Sequence, residues 1–154
     1  MYIQNRSAPT VHWFSSSDSD FHLVNQLCDW VFPRSALSTL SSTDCPPSHL
    51  AAIMEYQKII ACGQLKPTPA ASGRRYYELS KMAVARPFIY CGYRDILLLA
   101  MMSQAKQLCA EGLFLRARVE AVDFYRSYGF VEFAEIYLDR ASGCPHQQMI
   151  ALLT

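Results

Sequence analysis

Apolar and polar positions change period repeatedly along the chain, and each change marks an element. Val11-His12-Trp13-Phe14 reads as a short strand inside a Ser/Asp-rich stretch. Phe21 to Phe32 then has apolar residues at helical spacing, with Ser19 or Asp20 as N-cap. Pro33 ends that helix, because proline steers the residue before it out of the helical region. Arg34 to Ser48 lacks apolar periodicity and reads as a long Ser/Thr/Pro loop, a feature usually functional or mobile in a compact domain. Leu50 to Gln57 and Lys58 to Leu65 predict two antiparallel strands joined tightly at Gln57-Lys58. Lys66 to Gly73 reads as a flexible hairpin connection.

The second half is more sharply patterned. Tyr76 to Ala85 predicts a strand ended by Pro87, in which strict alternation places Glu78, Ser80 and Met82 on one face. Asp95 to Ala110 predicts a helix whose first half is apolar nearly all round and so largely buried, with Gly112 as its left-handed C′ residue. Leu113 to Ala117 has the apolar character of a central parallel strand. Glu120 to Tyr128 predicts a short helix, followed by Gly129 where a left-handed residue is wanted. Glu132 to Leu138 and Gln148 to Leu153 close the chain as strands linked by Ala141 to Pro145. A strand–helix–strand unit from 76 to 117, crossing over right-handed, combined with hairpins elsewhere gives an α/β or α+β class with a mixed sheet.

Composition narrows the picture. The 154 residues fit a single domain over 1–154, with no repeat or linker. Hydrophobic residues make up 51% and charged residues 18%, which is globular rather than disordered. The net charge of +1, without a basic tract, gives no support for a nucleic-acid partner. Cys28, Cys45, Cys62, Cys91, Cys109 and Cys144 form no C-x-x-C pair and no zinc spacing, so no metal site is expected. Their scatter through apolar segments reads as small buried residues in a reducing compartment. The longest apolar run, Ile96 to Met102, is too short to span a membrane, and the N-terminus has no signal-peptide run. A cytoplasmic protein with no membrane partner is the expectation.

A family resemblance emerges from the order of several short motifs. They are Val31-Phe32, Ser48-His49-Leu50, Met82-Ala83-Val84, Ala117, Phe124-Tyr125, Gly129-Phe130, and Cys144-Pro145-His146 before Met149. In this order the chain resembles the GCN5-related N-acetyltransferases (GNAT), most closely the ElaA-like branch, over nearly its whole length. The last motif is similar to that branch's Gly-Ile-Pro-His-x-x-Met ending. The resemblance implies a mixed, mostly antiparallel sheet of about six or seven strands, about four flanking helices, and a parallel pair splayed at the cofactor site.

It also implies acetyl-CoA as co-substrate. Met82, Ala83 and Val84 would meet the pantetheine arm through their backbone, beside a bulge that opens the parallel pair. The turn Ile89-Tyr90-Cys91-Gly92-Tyr93-Arg94, leading into Asp95, would hold the diphosphate on backbone N–H groups at a helix start. Phe124 completes the expected cofactor site. The family signature there is Gln/Arg-x-x-Gly-x-Gly/Ala, of which this chain keeps only Gly92. Ile89 removes a polar side chain and Arg94 adds a long cationic one. Either Arg94 turns outward and binds phosphate oxygens, or it blocks the turn.

Tyr125 is the candidate general acid for a leaving thiolate, although Phe-Tyr before Gly-Phe is also a packing motif. Glu78, six residues before Val84, matches the glutamate base of histone-modifying relatives, or is an ordinary half-exposed strand residue. His146 and His49 are further hydrogen-bonding or base candidates, and Tyr128 reads as core. Acetyl transfer to a primary amine of a small molecule or peptide is the leading expectation. The alternatives are a non-catalytic acyl-CoA-binding or regulatory protein on the same fold, and an acyltransferase with a larger donor. Apolar closing strands leave a homodimer open.

Overall fold

The computed structural model describes residues 9–15, 48–55, 57–68 and 75–153, and the structural statements that follow concern these. The helix expected at 21–32, most of the loop at 34–48 and the hairpin tip at 69–74 lie outside them. Eight strands form one sheet: β1 (Val11–Ser15), β2 (His49–Glu55), β3 (Lys58–Pro67), β4 (Tyr76–Val84), β5 (Gly112–Arg118), β6 (Val131–Glu132), β7 (Tyr137–Leu138) and β8 (Pro145–Leu152). Their order is β1-β2-β3-β4-β5-β8-β6, with β7 also beside β8. Only β4 and β5 run parallel; the other pairings are antiparallel.

Two α-helices occur among the described residues, fewer than the resemblance implies: α1 (Tyr93–Gln107) and α2 (Val122–Arg126). A 3₁₀ turn at Arg86–Phe88 precedes α1 and another at Val119–Ala121 precedes α2. Leu97, Leu98 and Met101 of α1 are fully buried against Leu79, Leu113, Leu115 and Met149 of the sheet. Each such side chain stabilises the fold by about 1.5–3 kcal/mol relative to exposure. Tyr125 and Phe130 join the same cluster, so α2 covers the same sheet face as α1.

Several boundaries differ from the sequence reading. The α1 helix starts at Tyr93 and stops at Gln107, and Cys109, at φ 58°, rather than Gly112, makes the left-handed exit. Gly112 instead opens β5, where a Cβ would stand 2.5 Å from the Tyr76 ring. Leu99 is exposed, so the apolar first half of α1 is not buried all round. The strand expected over Glu132–Leu138 is broken into β6 and β7 by Ala134, at φ 61°. The buried Gln147 amide fixes this break by donating to the Phe133 and Ala134 carbonyls, each at 3.0 Å. Of the described cysteines only Cys62 is buried; Cys91 and Cys109 are exposed because each sits in a turn at an end of α1. Among the described residues no helix is long and apolar enough to cross a membrane.

Candidate active site

The site begins with a fault in β4. On the β3 side, Ala83 pairs with Cys62 and Ser80 with Gln64, so Lys81 and Met82 together oppose the single residue Gly63. Two residues facing one is a β-bulge. Lys81 sits at φ 54°, a left-handed value rarely adopted by a lysine. Gly63 makes room opposite: a Cβ there would lie 2.6 Å from the Met101 sulfur and 2.9 Å from that of Met82.

The bulge has two consequences. It reverses the alternation, so Tyr77 and Leu79 face α1 before it and Met82 and Val84 face α1 after it. Met82 therefore does not share a face with Glu78 and Ser80, as unbroken alternation would require. Ala83 turns to the other side and packs with Leu50, Ile59 and Cys62. Second, the parallel ladder between β4 and β5 covers only Tyr76–Leu79 against Gly112–Leu115 and then stops. Met82-Ala83-Val84 thus lies where the parallel strands have parted.

The chain next runs from β4 into the start of α1. Ile89 is 48% exposed and Tyr90 99% exposed, so neither fills the core. Gly92 is the helix N-cap at φ 80°, and a Cβ there would meet nothing within 4 Å. Tyr93 is buried, packs edge-on to Phe88, and donates its hydroxyl to Glu55 at 2.5 Å, which ties α1 to the end of β2. Arg94 places its guanidinium 3.7 Å from the centroid of the Phe124 ring, a cation–π contact with α2. Asp95 accepts a hydrogen bond from the Tyr128 hydroxyl. That bond, then burial and the Asp95 charge, push the Tyr128 phenol above its usual range against an opposing effect of Arg94. Tyr128 is half-buried against the core and also links α1 to α2.

Tyr125 is buried within the α1-side cluster, with its ring edge-on to Phe124 and to Phe130. Glu78 lies on the opposite face of the sheet, 3.9 Å from the Arg116 Nε of β5. Thus the structure brings Phe124 to the turn residues through Arg94, and sets Tyr125 and Glu78 on opposite sides of the parted strands.

Around Glu78 the far face holds His146, a candidate from the sequence, together with Arg116 and Tyr137, which the sequence reading did not single out. Arg116 follows Leu115, the last β5 residue paired with β4. Tyr137 of β7 pairs with His146 of β8, and their rings lie 6.0 Å apart. Burial raises the Tyr137 phenol, opposed by Arg116 and assisted by Asp139 and Glu78. His146 Nδ1 lies 3.0 Å from the Cys144 carbonyl. A carbonyl only accepts, so Nδ1 is the donor in this contact. The alternation of Leu113, Leu115 and Ala117 with Arg116 was a readable signal for Arg116; the break that brings Tyr137 onto β8 was not.

The sequence of residues 16–130 matches the Acetyltransferase (GNAT) family. The chain belongs to this family. Its acyltransferase fold is shared with solved structures at low identity. Escherichia coli ElaA superposes with TM-score 0.68 at 15% identity, covering 92% of this chain and 99% of that one. An acyl-CoA N-acyltransferase from Pseudomonas aeruginosa gives 0.69 at 18%, covering 92% and 99%. FeeM, an N-acyl amino acid synthase from uncultured soil microbes, gives 0.69 at 8%, covering 93% and 94%. No curated protein sequence matches the chain. In this acetyltransferase-family chain the parted strands, the open space at Gly92 and the cationic Arg94 beside it fit an acyl-CoA. Its diphosphate would face the turn and its arm would pass Met82-Ala83-Val84.

Proposed function

We propose that the chain is an N-acetyltransferase that moves an acetyl group from acetyl-CoA to a primary amine of a small molecule or peptide by direct attack. The supporting observation is the bulge at Lys81-Met82, which ends the β4–β5 ladder between the face holding Tyr125 and the face holding Glu78. In this reading Glu78 takes the proton the amine gives up as its nitrogen bonds to the acyl carbon. The carbon–sulfur bond breaks, and the Tyr125 hydroxyl protonates the departing thiolate. Ile89 to Asp95 bind the diphosphate through backbone N–H groups, with Arg94 turning from the Phe124 ring to the phosphates. Phe124 then lines the entrance that Arg94 has left.

The test is thiol release from acetyl-CoA with a panel of primary amines, comparing the wild type with Tyr125→Phe. Turnover by the wild type, and a loss of roughly 10²-fold or more in kcat with acetyl-CoA binding retained in the variant, is the expected result. Equal turnover by both proteins overturns the role of Tyr125. Binding without turnover of any amine favours a non-catalytic acyl-CoA-binding protein. A larger acyl donor is a second reading, motivated by the fold shared with the N-acyl amino acid synthase, and turnover with long-chain acyl-CoA alone would select it.

A further inference from the structure

Glu78 and Arg116 stand at the place where β4 and β5 part: Glu78 is one residue before the last paired residue of β4, and Arg116 one residue after that of β5. Both lie on the face away from α1, because Leu79 and Leu115 between them point into the α1-side core. Their contact is single and loose, Nε to carboxylate at 3.9 Å, and the Arg116 side chain is 57% exposed against 20% for Glu78. The outer fork of the guanidinium is therefore accessible for a second anion while the carboxylate is held inside the sheet face. Phe114, whose ring lies 5.6 Å from the Arg116 guanidinium carbon, limits its swing on one side. Tyr137 and His146 wall the face on the β7–β8 side.

From this juxtaposition we infer that the acceptor is an amine bearing a carboxylate a few bonds away, as in a free amino acid, with Arg116 binding the carboxylate and Glu78 receiving the ammonium. The inference rests on the acyltransferase reading and names the acceptor class for that site. A minus–plus pair a few ångströms apart is matched by a zwitterion in the opposite sense. The planar guanidinium holds a carboxylate through paired N–H bonds, which an ammonium on lysine does not reproduce. An amine lacking the carboxylate leaves Arg116 with only its loose contact to Glu78. In the transfer, the ammonium first gives one proton to Glu78, which passes it to water; the free amine nitrogen then bonds to the acyl carbon and gives its second proton to Glu78 as the carbon–sulfur bond breaks. The thiolate takes the proton of Tyr125, and the acceptor carboxylate is unchanged.

The test measures thiol release from acetyl-CoA with the standard amino acids, each beside its amide and its decarboxylated amine. It uses the wild type, Arg116→Gln and Arg116→Lys. One or more amino acids should exceed their decarboxylated amines in kcat/KM by roughly tenfold or more. Arg116→Gln should raise KM for the amino acid roughly 10–100-fold, lower kcat/KM for the amino acid at least roughly tenfold more than for its decarboxylated amine, and leave acetyl-CoA binding unchanged. Arg116→Lys should recover part of the loss. Equal rates for amino acids and their decarboxylated amines, or an equal slowing of both by Arg116→Gln, overturns the inference while the acyltransferase reading stands. Absence of thiol release with every amine overturns that reading and this inference with it.

Discussion

At the residue scale, Arg94 occupies a position where the family signature has glycine or alanine, and the fold gives its side chain a resting place. The guanidinium lies over Phe124 rather than over Gly92, whose outward side is open to 4 Å. A cation–π contact at a partly exposed site is worth about 0.5–1 kcal/mol, less than a charge-assisted bond to phosphate at about 1.5–3 kcal/mol. The balance therefore favours transfer of Arg94 to a bound diphosphate. Arg94→Ala is expected to weaken CoA binding about 10–100-fold by titration calorimetry, and the loss should shrink at high salt. Unchanged or tighter binding would mean that Arg94 obstructs the turn. The sequence exposed the substitution at 94 but not its direction, because Phe124 is distant in the chain and meets Arg94 only through the packing of α2 beside α1.

At the element scale, the bulge in β4 governs the site, and it depends on Gly63 across the ladder. Gly63→Ala puts a methyl into the Met82 and Met101 sulfurs, a small-to-large change in a packed core. Such changes cost about 1–3 kcal/mol. The expected outcome is a melting temperature lower by roughly 2–12 °C and a weaker affinity for CoA. An unchanged melting temperature would show that the bulge does not rely on this gap. The succession of β2, β3, β4, α1 and β5 along the chain and the α1 crossover were legible because apolar periods persist over many residues. The bulge was expected from the family resemblance alone and not from the residues themselves, since Lys81 and Met82 continue an ordinary alternating pattern; the positive φ of Lys81 appears only in the structure.

The β7–β8 turn offers a pH test at the same scale. The Ser142 backbone N–H, and then its hydroxyl, hold the Asp139 carboxyl below its ordinary range, with His146 assisting. A depressed carboxyl contributes stability that is full above the unfolded value, about 3.9, and is lost as pH falls through the folded one. Ser142→Ala should therefore be less stable than the wild type at neutral pH by urea unfolding, with the difference fading below about pH 4. A difference independent of pH would assign the effect of Ser142 to something other than Asp139.

At the scale of the whole molecule, the sheet has two sides of different character. One carries α1, α2 and Tyr125; the other carries Glu78, Arg116, Tyr137 and His146; the parted β4 and β5 join them. The reversal of face at the bulge is why unbroken alternation placed Met82 on the side of Glu78, whereas it packs on the α1 side. The central claim is that this frame, with its altered turn, still holds an acyl-CoA. The most direct measurement is the melting temperature of the intact chain with acetyl-CoA and with longer acyl-CoAs. Ligand at about a hundred times its dissociation constant stabilises by about 2.7 kcal/mol, which predicts a rise of roughly 5–10 °C for a domain of this size. No rise with any acyl-CoA at millimolar concentration would contradict the account.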